Sequence, residues 1–235
     1  LDVSRDDLNF FRGGDWLHMN ALEFDSRDST IIVSGRNQGL LKVSWDDKLK
    51  WIMSPKQNWG KSGRKGKGYK TKPYLLTAVN KDGIPYPKDI QTGHKSADDF
   101  DFPWGPHAPY LLPNGNIIVF DNGPFRNYNN DNNYSRAVEY QINETDKTFK
   151  QVWQYGKERG VKLFSSIVSD VDYLPQTNNI LMTSGFVSPK NIHRAKIVEV
   201  SPEDNSEVFE ATVFFKSTNK GSKPGWGQTD ILYRS

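Results

Sequence analysis

The chain carries four histidines and no cysteine, and two of its imidazoles stand in matching surroundings. His18 lies in Asp15-Trp16-Leu17-His18-Met19-Asn20, and His107 in Trp104-Gly105-Pro106-His107-Ala108-Pro109. Each precedes, by nearly the same spacing, a glycine that closes a hairpin pattern, Gly35 and Gly123. Arg126 follows Asp121-Asn122-Gly123-Pro124-Phe125, and Arg136 stands just before the next strand pattern, beyond the Asn-rich run 127–134. A guanidinium near two imidazoles makes a site for a tetrahedral oxyanion, sulfate or phosphate: the arginine grips it bidentately and the imidazoles move protons. Two bland readings stay open, imidazoles satisfied by backbone hydrogen bonds and arginines in surface ion pairs.

Other chemistries find less support. The absence of Cys removes disulfides, thiolate zinc sites, iron–sulfur clusters and cysteine nucleophiles together. No P-loop, nucleophile-elbow or H-E-x-x-H pattern occurs. His18 and His107 would need a further zinc ligand, with Asp15 the nearest in sequence, so neither a metal nor a cofactor is expected. The Asn-rich run has one carboxylate, Asp131, too few for a hard cation. His94, beside Lys95, is expected in solvent, whereas His193 follows the Gly185 end of a third hairpin and could face the same rim as His18 and His107.

The elements that must position these residues repeat. Residues 22–35, 110–123 and 171–185 each read as a strand, a turn of Asp, Asn, Gly or Pro type, and a β-branched strand ending near glycine. Each is followed by a second pair, at 40–53, 137–153 and 196–213, with alternation clear in Val138-Glu139-Tyr140 and Val198-Glu199-Val200. Two hairpins make four strands, the blade of a β-propeller, whereas a sandwich would not explain the repeated unit. The expected fold is therefore an all-β β-propeller, with about three blades and a closing strand at 228–235. A long insertion occupies 55–105 in a single domain, or the C-terminal portion of one, over 1–235. Helices are nearly absent by pattern, with short turns expected at 157–160 and 168–170.

Composition agrees with a packed protein. Aromatics make up 13% of residues, too many for a disordered chain. The net charge of +3 is concentrated in residues 61–72, which hold six basic residues and no acid. That Gly/Lys tract reads as a solvated loop. With Tyr69 as its one aromatic it does not suit nucleic acid. No apolar run is long enough for a membrane span. The chain opens at Leu1 without an apolar leader, as a processed or truncated chain would. The sequons at Asn133 and Asn143 carry little weight.

The stretches DWLHMN (15–20), LLPNGNIIVFDNG (111–123) and SRAVEYQINETDKTFKQVWQYGKERG (135–160) resemble the bacterial arylsulfate sulfotransferases. The likeness runs from about Asp15 to Ser235 and matches the C-terminal part of the family pattern. It implies a six-bladed β-propeller that works without a nucleotide sulfate donor. Its reaction would be ping-pong transfer, in which a histidine takes a sulfuryl group from a phenolic sulfate ester and passes it to a phenol. The resemblance makes His18 and His107 active-site histidines and Arg126 the sulfate-binding arginine, with Arg136 the substitute. It puts the nucleophile in the loop within 183–200, where His193 is the histidine present, a few residues past the ungapped position at 186–188. Trp16, Trp104 and Phe125 would wall the aryl group, with Asn122 beside them. The implied location is exported, periplasmic or cell-surface, and a homodimer is left open. The competing functions are a non-catalytic propeller that binds a ligand or partner at its rim and, more remotely, a sulfate- or phosphate-ester hydrolase.

Overall fold

A computed structural model describes residues 17–62, 68–129, 131, 133–187, 193–215 and 231–233. It contains three sheets. The first runs β1 (Met19–Asp25), β2 (Thr30–Gly35), β3 (Gly39–Ser44), β4 (Leu49–Met53), each strand antiparallel to the next. The second has the order β5-β9-β8-β7-β6, from β5 (Thr77–Ala78), β6 (Pro106–Leu111), β7 (Ile117–Asp121), β8 (Arg136–Asn143) and β9 (Thr148–Tyr155). The third runs β10 (Asp170–Leu174), β11 (Asn179–Val187), β12 (Arg194–Val200), β13 (Glu207–Phe214). The two-hairpin unit read from the sequence thus recurs three times.

Turn chemistry fixes the registers. In the β6–β7 turn, Gly115 has φ +86° and its N–H donates to Leu112 O, while Asn114 Oδ1 accepts from Asn116 N. Asp47, Asn178 and Asn205 supply the left-handed residue in three other turns. The registers pair Leu22 with Val33, Ile118 with Glu139 and Val171 with Met182.

Alternation then stacks the sheets. In β7, Ile117 and Val119 join one core with Ile32, Leu40, Trp51, Val138 and Phe149, whereas Ile118 and Phe120 join a second with Tyr155, Val171, Ile180 and Met182. The middle sheet is therefore buried on both faces, and each large apolar side chain so buried contributes roughly 1.5–3 kcal/mol. The inner strand β6 touches β1 and β2 on one side and β10 on the other. Asn20 Nδ2 and Ser34 Oγ both donate to Pro106 O, at 2.8 and 2.9 Å.

The stretch 55–105 holds a 3-10 turn at Lys72–Tyr74, the strand β5, which adds to β9 in parallel, and the helix α1 (Lys88–Gln91). Alternation did not announce either of the last two. Leu76, Ala78, Phe100, Phe102 and Trp104 from this stretch complete the first core. A 3-10 helix covers Lys157–Lys162, where a short turn was expected. The expected closing strand is not present over 231–233, where Leu232 N donates to Gly185 O at 3.0 Å, and the rest of it lies outside the described residues. No helix among the described residues is long and apolar enough to cross a membrane.

At the rim where β1 ends, Lys42 Nζ, almost fully buried, binds Asp25 at 3.0 Å, Asp28 at 2.8 Å and Glu144 at 2.6 Å. Trp51 Nε1 also donates to Glu144, so this cluster ties the first sheet to the second.

Candidate active site

At the opposite edge, where the first strand of each four-strand unit begins, the backbone departs from ideal geometry. His18 (φ 49°), Ala108 (φ 46°), Val168 (φ 55°) and Ser169 (φ 95°) are left-handed, and they fall at the start of β1, β6 and β10. For a β-branched residue such as Val168 that conformation is a strained outlier. Strain repeated at one rim marks a place where side chains are aimed rather than merely packed.

His107 is 3% exposed. Gly105, at φ +65°, turns its carbonyl to the ring, and His107 Nδ1 lies 3.2 Å from Gly105 O. A carbonyl only accepts, so Nδ1 carries the proton and a neutral ring keeps its lone pair on Nε2. Burial pulls the His107 pKa down to about 4; the Arg36 and His18 charges pull the same way, against the Gly105 carbonyl and the Asn122 side chain. The ring is therefore neutral at pH 7.

Three sheets contribute to this neighbourhood. From the first, His18 O accepts from Arg36 N at 3.0 Å, and Arg36 Nη2 reaches Ser166 O at 2.8 Å, in the loop that leads to β10. From the second, Asn122 Nδ2 donates to Ser165 O at 2.6 Å and Val168 O at 3.0 Å. Ser165 Oγ in turn accepts from Ser169 Oγ and from Phe186 N, at 2.9 Å each, which joins the loop to the end of β11. His18, His107 and Asn122, far apart along the chain, are thus gathered at one rim. Arg36 is the member that sequence reasoning missed. It follows the closing Gly35 just as Phe186 follows Gly185, and that shared position was the available signal.

The other candidates lie elsewhere. Arg126 and Arg136 are both almost fully buried. Arg126 Nη1 binds Asp101 Oδ2 at 2.7 Å, Nη2 binds Asp121 Oδ2 at 2.9 Å, and the guanidinium lies 3.8 Å from the centre of the Tyr134 ring. Arg136 Nε binds the same Asp121 oxygen at 2.8 Å and its Nη2 reaches Asp101 O. Two arginines and two aspartates therefore form a neutral buried network. Burial pushes Asp101 up, but the two guanidinium charges outweigh it and hold the carboxyl below its ordinary range. Burial and the carboxylates push the Tyr134 hydroxyl up to about 12 against the pull of the two arginines. Neither arginine is a surface ion pair, and neither has its terminal nitrogens open to a ligand.

Trp104 is a core residue, 4% exposed, with Nε1 on Asp101 and its backbone N–H on Asp121 Oδ1. It therefore does not wall an open cleft. Phe125 is left-handed and partly exposed, and Trp16 lies outside the described residues. His193 immediately precedes β12 and stacks on Phe186, ring centres 4.9 Å apart. It is linked to the His107 neighbourhood through the Phe186–Ser165–Asn122 chain of contacts. His94 is exposed, with Nδ1 on the Thr92 hydroxyl. Among the described residues no group of three or more His, Asp or Glu could hold a metal ion.

The arylsulfotransferase (ASST) family model matches residues 4–222. The chain belongs to the arylsulfotransferase family. It is 34% identical over 186 residues to the arylsulfate sulfotransferase AssT of Escherichia coli O6:H1, covering 77% of this chain and 30% of that protein. It is also 34% identical over 193 residues to the AssT of Lelliottia amnigena, covering 80% of this chain and 31% of the relative. The chain thus spans under a third of the length of these arylsulfotransferases.

Proposed function

We propose that this chain forms part of an arylsulfate sulfotransferase whose reacting groups meet at the His18–His107 rim, and that its three sheets are consecutive blades of a propeller. The observation that carries the reading is the convergence of His18, Arg36, His107 and Asn122, from two sheets, against the loop of a third, in a chain of this family. The neutral His107 imidazole beside a guanidinium suits an anionic ester.

The chemistry balances without redox. The S–O bond to the donor phenol breaks as an S–N bond to an imidazole forms, and the imidazole proton ends on the departing phenolate. In the second half-reaction an incoming phenol forms a new S–O bond to the sulfuryl group as the S–N bond breaks, and its proton passes back, through an imidazole, to the freed carrier ring. We assign the carrier to His193, whose ring rests on Phe186 at the mouth of the third sheet. One observation favours a second reading: Gly105 O holds the His107 tautomer with the Nε2 lone pair available, which suits a nucleophile as well as a base. With the carrier at His193, His18 and His107 hold or move protons; with it at His107, that task falls to His18, and in either case Asn122 fixes the loop. Arg126 and Arg136 position Asn122 through its neighbour Asp121.

The test is steady-state kinetics of the full-length protein with a chromogenic aryl sulfate and a phenol. Parallel double-reciprocal lines, and chromophore release that depends on the phenol, support transfer. Release without a phenol makes the protein a hydrolase, and no release in an intact protein makes the rim a binding site.

A further inference from the structure

Asn122 ends the second sheet beside His107, and its amide is only half engaged. The residue is fully buried and directly follows β7. Its Nδ2 is spent on the loop before β10, on Ser165 O and Val168 O. Its Oδ1, equally buried, has no hydrogen-bond partner among the described residues. A buried acceptor left over in this way is costly unless some state of the protein uses it. We infer that Asn122 is the positioning residue of His107: it holds its amide oxygen toward the imidazole and stabilises the positive charge that the ring takes up during sulfuryl transfer. That role rests on the function proposed above.

The strand register puts the two side chains on one face. His107 is paired with Phe120, and Phe120 belongs to the core shared with the third sheet. Residues directly across an antiparallel pair share a face, and so do residues two apart along a strand. His107 and Asn122 therefore turn toward the third sheet, whereas Asp121, between Phe120 and Asn122, turns the other way to Arg126 and Arg136. Backbone contacts bring the pair close. Gly123 N donates to Trp104 O at 2.7 Å, which ties the residue after Asn122 to the one before Gly105. At Gly105, whose carbonyl holds His107 Nδ1, a Cβ would stand 3.7 Å from the Asn122 Cβ. Ser135 Oγ donates to Asn122 O at 2.7 Å, so backbone and amide are both fixed.

A neutral imidazole has a single N–H, and Gly105 O takes it. The His107 ring becomes cationic with either carrier. As a base it accepts the phenol proton, and as the carrier it binds the sulfuryl group at Nε2 while Nδ1 keeps its hydrogen. An amide oxygen fixed beside the ring favours that charged form over the neutral one and needs no rearrangement when the charge arrives. The Asn122 side chain accordingly draws the His107 pKa upward, against the burial that lowers it to about 4.

Asn122→Asp and Asn122→Ser in the full-length protein test this, with Ser135→Ala as the comparison. Ser135 Oγ links Asn122 O to Ser165 N, so its loss loosens the loop and leaves the Asn122 amide in place. Thermal unfolding shows that each variant is folded. The His107 imidazole is followed by NMR titration, and turnover by the pH profile of kcat with 4-nitrophenyl sulfate and phenol. In Asn122→Asp a carboxylate replaces the amide, and the His107 titration should rise by about 1–3 pH units. In Asn122→Ser it should fall below that of the wild type, and kcat should drop roughly 10-fold or more at nearly unchanged KM, as for an interaction made in the transition state. Ser135→Ala should leave the His107 titration where it is. A residue that merely clamps the loop would not give shifts of opposite sign in the two Asn122 variants. A folded Asn122→Asp or Asn122→Ser variant whose His107 titrates within about 0.3 pH units of wild type overturns the inference while the transferase reading stands. An equal shift in Ser135→Ala and Asn122→Ser overturns it as well. If the wild-type protein turns over no aryl sulfate, the transferase reading fails separately. Opposite shifts in the two variants would then still support Asn122 as the residue that sets the charge of His107, and unmoved titrations would overturn it.

Discussion

Replacing Asp121 by Asn tests whether the buried charge network holds the rim in place. Asp121 is fully buried; its Oδ2 binds Arg126 at 2.9 Å and Arg136 at 2.8 Å, and its Oδ1 accepts from Trp104 N at 2.8 Å. Asn keeps the shape but removes the charge, leaving two guanidinium groups facing Asp101 alone. Breaking a buried pair by removing one partner costs about 3–5 kcal/mol, a large share of the roughly 5–15 kcal/mol that holds a domain folded. Urea unfolding of the full-length protein should show that loss as a lower midpoint at unchanged slope. Adding Arg126→Met restores neutrality, because Asp101 and Arg136 remain, so the double variant should be more stable than additivity predicts by about 0.5–3 kcal/mol. A loss below about 1 kcal/mol in Asp121→Asn, with strict additivity in the double variant, would refute the reasoning: the ions would then be screened like surface pairs.

Two further predictions concern His107 and Lys42. The folded-state pKa of His107 is lowered from 6.5 to about 4, so between those values the unfolded chain binds more protons. The stability contributed by the neutral ring is whole above pH 6.5 and is lost as pH falls toward 4, by about 3 kcal/mol. Urea midpoints measured across that window should slope in the wild type and flatten in His107→Gln. At the other rim, Lys42→Met leaves Asp25, Asp28 and Glu144 without their shared cation and should cost about 3–5 kcal/mol. Glu144→Gln, whose side chain is 45% exposed, should cost under about 1 kcal/mol in the same assay.

The strands were legible because their signals are local. Pro113-Asn114-Gly115-Asn116 can make little but a tight turn, and the flanking runs alternate with period two. The stretch 55–105 was not legible in this way. β5 is two residues long and pairs in parallel with β9, a contact decided by tertiary packing, and Phe100, Phe102 and Trp104 enter the core without any periodic pattern. The histidines were legible through repeat position, since His18 and His107 begin equivalent inner strands. The arginines were not, because a side chain's partners lie outside its own segment. Asp101, which neutralises Arg126, is 25 residues away, and Ser166, which orients Arg36, is 130 residues away. Only folding reveals which carboxylate a guanidinium such as Arg126 meets.

The most direct measurement is peptide mapping by mass spectrometry after the full-length protein reacts with 4-nitrophenyl sulfate without an acceptor. The expected result is a sulfuryl adduct on the peptide containing His193, formed as one equivalent of nitrophenol is released and discharged when a phenol is added. An adduct on His107 would select the second reading of the carrier. Nitrophenol release with no histidine adduct, or with the label on a Ser or Tyr, would contradict sulfuryl transfer through the rim imidazoles.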